Sequence, residues 1–330
     1  MPIARPLLLA ALALLALAAA LVSIAVGPAN LGLQRTIAAL SGSDDSIARI
    51  ILFELRLPRA VLALLVGAIL GLSGASLQGY LRNPLAEPAV LGVSNAAALG
   101  AVIALYFGFA AHYPILLPLL AITGGMVAMV PLLLLARRGE SPLALILAGI
   151  AVATLAGAGI SLAFNLSPNP FAAVEIMTWL MGSLEDRSWL QVIIALPCII
   201  AGSALLLWDG RALDALTLGE DGARALGVNL AAVRTRLLLG TAIGLGGAVA
   251  IAGAIGFVGL VVPHLVRPLT DRSPGAVLLP SAIAGAALLT MADILVRLLP
   301  TVTELRLGVV TALLGVPVFL AQLAKARRLW

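Results

Sequence analysis

The sequence predicts an all-α polytopic membrane protein of about ten transmembrane helices, and three observations carry that prediction. Of 330 residues, 62% are apolar and only 11% charged, where a soluble chain is roughly 45–50% apolar and about 25% charged. Mean hydropathy is +1.14. The apolar residues also come in runs of about the 20 that a bilayer-spanning helix needs, divided by proline, glycine, asparagine or charge. A globule of this composition would lack polar residues to cover its surface, so the bilayer is the expected solvent.

The same arithmetic excludes other classes. Disorder fails because so much apolar surface would collapse or insert, and a disulfide scaffold fails because Cys198 is the single cysteine. A pI near 10.3 invites nucleic acid, but the net charge is only +5 and the basic residues lie between apolar runs rather than in one patch. No nucleic-acid partner is expected.

Taken in order, the runs place spans at 6–26, 60–81, 91–109, 115–136, 143–166, 190–208, 236–254, 256–266, 276–299 and 307–324, within one transmembrane domain covering 1–330. The first run exceeds the 7–15 apolar residues of a signal peptide and lacks a small-residue cleavage site, so it reads as a retained helix. The eighth and tenth are short or ambiguous. Ten spans put both termini on one side. If that side is cytoplasmic it holds thirteen of the twenty basic residues, and the positive-inside rule then favours both termini inside. Glycines such as Gly67, Gly71 and Gly74 in the second span, and Gly240, Gly244 and Gly247 in the seventh, let helix backbones approach closely where lipid provides no hydrophobic drive.

The loops carry the functional signal. Arg56 and Arg59 open the second span and Arg297 closes the ninth, all on the external side, as a candidate cationic patch. Guanidinium forks bind carboxylates bidentately and suit an acidic protein surface; snorkelling to lipid headgroups is the other reading. Pro84 and Pro88 break the helix after the second span, as a plain turn or as a constriction at the inner mouth. The polar stretch 209–235 fits a short amphipathic hairpin on the cytoplasmic face. Its mixed charge and small residues favour a protein partner over lipid. Asp293 and Arg297, four apart, share a helix face and can pair, in a structural or a transport role. His112 and His264 stand apart from other ligand-type residues, so no metal site is expected. There is no phosphate-loop signature and no buried carboxylate chain, so energy for uphill transport must come from another subunit.

The motifs Leu57-Pro58-Arg59, Ser73-Gly74 with Gln78, Arg82-Asn83-Pro84-Leu85-Ala86, the run Gly256 to His264, Ala292-Asp293 with Arg297, and the run Val310 to Pro317 together resemble the FecCD-type permease family of ABC importers. The likeness covers essentially the whole chain, in order. It implies the type II importer permease fold in a bacterial inner membrane, and uptake of iron–siderophore, haem or cobalamin-type ligands. The implied partners are a second copy of the chain, two cytoplasmic ATPase subunits that bind ATP and Mg, and one periplasmic binding protein; no cofactor is expected on this chain. Onto matching positions it carries binding-protein docking at Arg56, Arg59 and Arg297, and a cytoplasmic gate at Asn83, Leu85, Ser141 and Pro142. ATPase coupling falls on Leu216, Gly219, Glu220, Asp221, Ala223, Leu226 and Gly227. One departure stands out. The family often reads Glu-Leu-Pro-Val-Gly before the last span, and this chain reads Glu304-Leu305-Arg306-Leu307-Gly308, which places an extra cation at the rim. An ion- or proton-coupled secondary transporter is the alternative class, and it calls for midplane carboxylates among broken helices.

Overall fold

The computed structural model describes residues 3–27, 29, 31–40, 45–138, 141–167, 169–299 and 304–326. The first helix, α1 (Arg5–Ala25), has Pro6 in its first turn and ends where Val26 turns extended; the short α2 (Leu33–Leu40) follows. Next, α3 (Ser46–Leu81) runs 36 residues without a break. Asp45 caps it by accepting from the Ala48 amide at 3.1 Å, a π-helical turn occupies Ile51–Arg56, and the helix stops at Arg82, whose φ is 49°. The sequence places the start of this span at Ala60; the helix that contains it begins earlier, at Ser46. Glu54, Arg56 and Arg59 read locally as loop charges; tertiary partners for the two arginines let the helix continue through them. At about 1.5 Å per residue α3 is roughly 54 Å long, well beyond the ~30 Å hydrocarbon core.

Then come α4 (Val93–Tyr106), α5 (Phe109–His112), α6 (Leu116–Arg137) and α7 (Pro142–Asn165). An eleven-residue helix, α8 (Pro170–Leu180), is capped by Asn169 and was not anticipated. A capping box between Ser188 and Gln191 starts α9 (Trp189–Trp208). The polar stretch forms α10 (Gly210–Ala215), a 3₁₀ turn over Leu216–Leu218, and α11 (Glu220–Ala225). The chain finishes with α12 (Leu230–Ala252), α13 (Val258–Val266), α14 (Pro274–Leu298) and α15 (Leu307–Ala326). Among the described residues seven of these, α1, α3, α6, α7, α9, α12 and α14, are long and apolar enough to cross a bilayer.

The expected short span at 256–266 is occupied by α13. Only the nine residues of α13 are helical there, about 14 Å and half a hydrocarbon thickness. The non-helical backbone between α12 and α13 has protein partners, as buried polar backbone requires. The Phe257 amide donates to Glu87 Oε1 at 2.9 Å, and the Ser183 amide donates to the Ala252 carbonyl at 2.8 Å.

Burial sorts the helices into a centre and a rim. The apolar windows of α3 and α12 are each 78% buried and that of α14 61%, while that of α7 is only 17% buried. Glycine makes the centre. A Cβ on Gly67 would collide with the Gly285 carbonyl of α14, and one on Gly74 with the Gly259 carbonyl of α13, so these backbones touch directly.

Candidate functional site

The three arginines expected on the external side do meet at one end of the bundle, but they form a buried junction rather than a free patch. A helix leaves its last four carbonyls unsatisfied, with the negative end of its dipole beside them, and two of the arginines answer that need for α1. Arg56 donates through Nη1 to the Ile24 and Ala25 carbonyls at 3.0 and 2.7 Å and through Nη2 to Ala29 at 2.5 Å. Arg297 donates to the Ser23 and Val26 carbonyls at 2.8 and 2.7 Å and to Ser23 Oγ at 2.6 Å. Arg59 forks onto Asp293, with Nη2 to Oδ1 at 2.8 Å, and also pairs with Glu304. Asp293 is fully buried and completes the junction as an ion pair with Arg297 at 2.9 Å.

The expectation of exposed cations is corrected accordingly. Arg56 and Arg59 are 5% and 9% exposed. The i,i+4 pairing of Asp293 with Arg297 holds, but the carboxylate is shared with Arg59 from the far side of the sequence. Glu304 was missed as a partner because nothing in its local pattern points back to residue 59. Arg306, the departure from the family pattern, pairs with Glu185 at 2.8 Å across the same rim.

At the opposite end, the segment expected to couple is a braced projection. Leu216 and Ala223 are buried, with Leu213 beneath them, and positive φ values of 92° at Gly219 and 82° at Gly227 make turns that suit glycine. Glu220 accepts from Arg234 of α12 at 2.7 Å and from Arg224 at 2.9 Å. Asp221, its side chain almost wholly exposed, pairs with Arg224 at 2.7 Å. Arg236 clasps Asp209 at the base of the projection. Two leucines stand out from it uncovered, Leu226 at 64% exposure and Leu218 at 68%. Leu218 was missed because a leucine in a near-helical apolar pattern reads as an inward-facing position.

The four gate candidates also lie at this end, though not as one cluster. Asn83 Oδ1 accepts from the Leu85 amide at 2.9 Å, tightening the turn after α3, and both residues are exposed. Ser141 caps α7 by accepting from Ala144 at 3.3 Å, and Pro142 is the first residue of that helix. Among the described residues no hydrogen bond joins Ser141 to Asn83 or Leu85. The tighter assembly nearby is one the sequence did not single out as a gate. Arg267 donates to Gln78 Oε1 at 2.9 Å, and Gln78 Nε2 donates to the Ala86 and Leu260 carbonyls at 3.3 Å. Glu87 holds the start of α13 beside it. No group of three or more metal-ligating side chains occurs among the described residues.

A helical bundle with a broken eighth crossing, a charged junction at one end and a braced projection at the other defines a multi-pass transport subunit. The chain belongs to the FecCD transport family, which it matches over residues 14–325. It is 40% identical over 294 residues to the uncharacterized ABC transporter permease protein YvrB of Bacillus subtilis, covering 87% of this chain and 82% of that one. It is 42% identical over 283 residues to the vitamin B12 import system permease protein BtuC of Vibrio cholerae, covering 85% of each. A solved structure described as an inward-facing conformation of a metal-chelate type ABC transporter superposes with a TM-score of 0.87 at 32% identity, covering 97% of this chain and 99% of that one. The protein is thus an ABC importer permease of the type that includes BtuC, a transport subunit and not itself a catalyst.

Proposed function

We propose that this permease works as a homodimer in the bacterial cytoplasmic membrane, with both termini inside, and passes a cobalamin-type ligand or a metal chelate inward. Two ATPase subunits, which bind ATP and Mg, would engage the cytoplasmic projection, and a periplasmic binding protein would dock at the arginine end. ATP binding would move the projections, and the two copies would rock so that the path opens to one side at a time.

The observation that carries this reading is the pair of uncovered leucines, Leu218 and Leu226, held out by the Glu220–Arg234 brace at the end away from the arginine junction. Exposed apolar anchors on a rigid helix–turn unit are what a partner's groove accepts. The apolar face left uncovered on α7 supports contact with a second copy. Vitamin B12 in the names of relatives at 40–42% identity makes cobalamin the first ligand to test, with a ferric siderophore and haem next. The broken crossing at α13 invites the proton-coupled alternative, but Asp293 is held by two guanidiniums and is not a free proton carrier.

The test is uptake into proteoliposomes holding the permease with its cognate ATPase and binding protein. Accumulation of cyanocobalamin that requires internal-face ATP is the expected result. Accumulation driven by a proton gradient without ATP would overturn the class. ATP-driven uptake of the siderophore or haem, with none of cobalamin, would reassign the ligand.

A further inference from the structure

We infer that the projection end carries a lipid site, a hollow that seats the headgroup of one phospholipid bearing both a phosphate and a primary ammonium, as phosphatidylethanolamine does. Such a site stands whatever ligand the permease carries and whichever partner docks at the arginine end.

A hollow of about 590 Å³ opens there between the start of α1, the end of α9, α10 and the start of α14. It is lined among others by Arg5, Trp208, Arg211, Asp214, Asp271 and Leu279. Its depth follows from helix length. The 21 residues of α1 and the 20 of α9 each span about 30 Å, which matches the hydrocarbon core. Arg5 is the first residue of α1 and Trp208 the last of α9, so the hollow lies at headgroup level. The apolar windows of both helices are only 28% buried, so it sits between two helices of the lipid-facing rim. Trp208 is 76% exposed at the level where indole rings anchor in a bilayer. Leu207 and Leu279 continue the wall toward the acyl chains.

Charge names the headgroup. Arg5 and Arg211 are exposed, and among the described residues neither guanidinium makes a hydrogen bond or an ion pair. Two such forks suit phosphate oxygens. Two carboxylates share the hollow with them, each fixed through one oxygen. Asp214 Oδ1 accepts from the Gly275 amide at 2.6 Å, and Asp271 Oδ1 accepts from the Ser273 amide and hydroxyl at 2.9 and 2.8 Å. Neither Oδ2 takes a donor among the described residues. The Ser273 donors hold Asp271 below the usual carboxylate range, with Arg5 adding to the pull, so it is charged at neutral pH. Arg272 is not in the lining, and nearby Arg236 is paired with Asp209, which leaves two cations facing two carboxylates. An anionic headgroup without an amine would leave both carboxylates unanswered, and a choline headgroup has no N–H to give them. Phosphoethanolamine answers both, its phosphate on the guanidiniums and its ammonium on the free carboxylate oxygens.

The experiment is native mass spectrometry of the delipidated permease, alone and with its cognate ATPase, titrated with phosphatidylethanolamine, phosphatidylcholine or phosphatidylglycerol. Thermal unfolding of each variant is measured before lipid is added. One phosphatidylethanolamine per chain is expected to be retained in preference to the other two, in the complex as in the permease alone. The double change Arg5→Gln and Arg211→Gln should weaken that retention about tenfold or more, as loss of a charge-assisted hydrogen bond implies, with lipid-free unfolding unchanged. Asp214→Asn and Asp271→Asn keep an acceptor for the chain amides and together should remove the preference over phosphatidylcholine. Equal retention of all three lipids by the unaltered permease would overturn the inference, as would retention that the arginine variant leaves intact. Should the arginine variant fail to fold, the aspartate pair decides, and a preference that survives it overturns the site. Displacement of the lipid by inorganic phosphate at equal concentration would give the arginines to a soluble anion, and loss of the lipid on adding the ATPase would give the hollow to that subunit; either result overturns the lipid.

Discussion

The two ends of the bundle use the same kinds of charged residue in opposite ways. At the arginine end the pairs reach across the sequence, from Arg59 to Asp293 and from Arg297 back to Ser23, and they are buried. At the tip of the projection the pairs are close in sequence, Arg224 with Asp221 and Glu220, and one partner is almost wholly in water, while the half-buried pairs of Arg234 with Glu220 and Arg236 with Asp209 hold its base to α12. Burial makes a broken pair expensive, because the partner left behind keeps its charge without water. Exposure makes it cheap, because water and ions screen what remains. The first end is therefore a clamp that joins α1, α3, α14 and the approach to α15, while the second is a surface shaped for a partner.

Five experiments sharpen or break that contrast. Asp293→Ala should have the largest effect, about 3–5 kcal/mol of stability by thermal unfolding in nanodiscs, since it strands two guanidiniums. Asp221→Ala, its counterpart at the projection, should stay within about 0.5 kcal/mol; equal losses at the two ends would erase the distinction. Gly74→Val should cost about 1–3 kcal/mol, because a branched side chain cannot fit against the Gly259 backbone. The double change Leu218→Ser and Leu226→Ser should leave unfolding unaltered but weaken ATPase binding by about 1.4 kcal/mol or more, about tenfold or more in affinity, measured by co-purification and titration. Intact binding would detach the projection from coupling. Smallest of all, a double-mutant cycle between Glu185 and Arg306, which are about a third exposed, should give a coupling of about 0.2–1 kcal/mol.

What could be read from the sequence follows from the range of the interactions involved. Long apolar runs such as those of α1, α6, α7 and α9 show themselves, because lipid demands a continuous stretch from each helix separately. The Asp293–Arg297 pair was legible because four residues make one helical turn. The first fourteen residues of α3 were not, since Arg56 looks like the end of a span until the carbonyls of α1 are brought to it. The α8 helix was missed because it is short, carries Glu175 and sits between prolines and glycine. The arginines were recognised as a group from family motifs, yet their inward pairing was hidden, because Glu304 and Asp293 lie more than 230 positions from Arg59 in the chain. Likewise no local rule connects Arg306 to Glu185, so the departure at 306 looked like an isolated surface charge.

The glycine contacts of α3 have a mechanical consequence. Two helices separated by side chains can slide, because rotamers rearrange and new ridges find new grooves. Where the Gly67 backbone rests on that of Gly285, and Gly74 on Gly259, there is nothing between the chains to rearrange. Such a seam behaves like a weld rather than a bearing. Any stroke that opens and closes a path must then carry α3, α13 and α14 as one block, and the slip has to occur where the bundle is loosest, along helices such as α7.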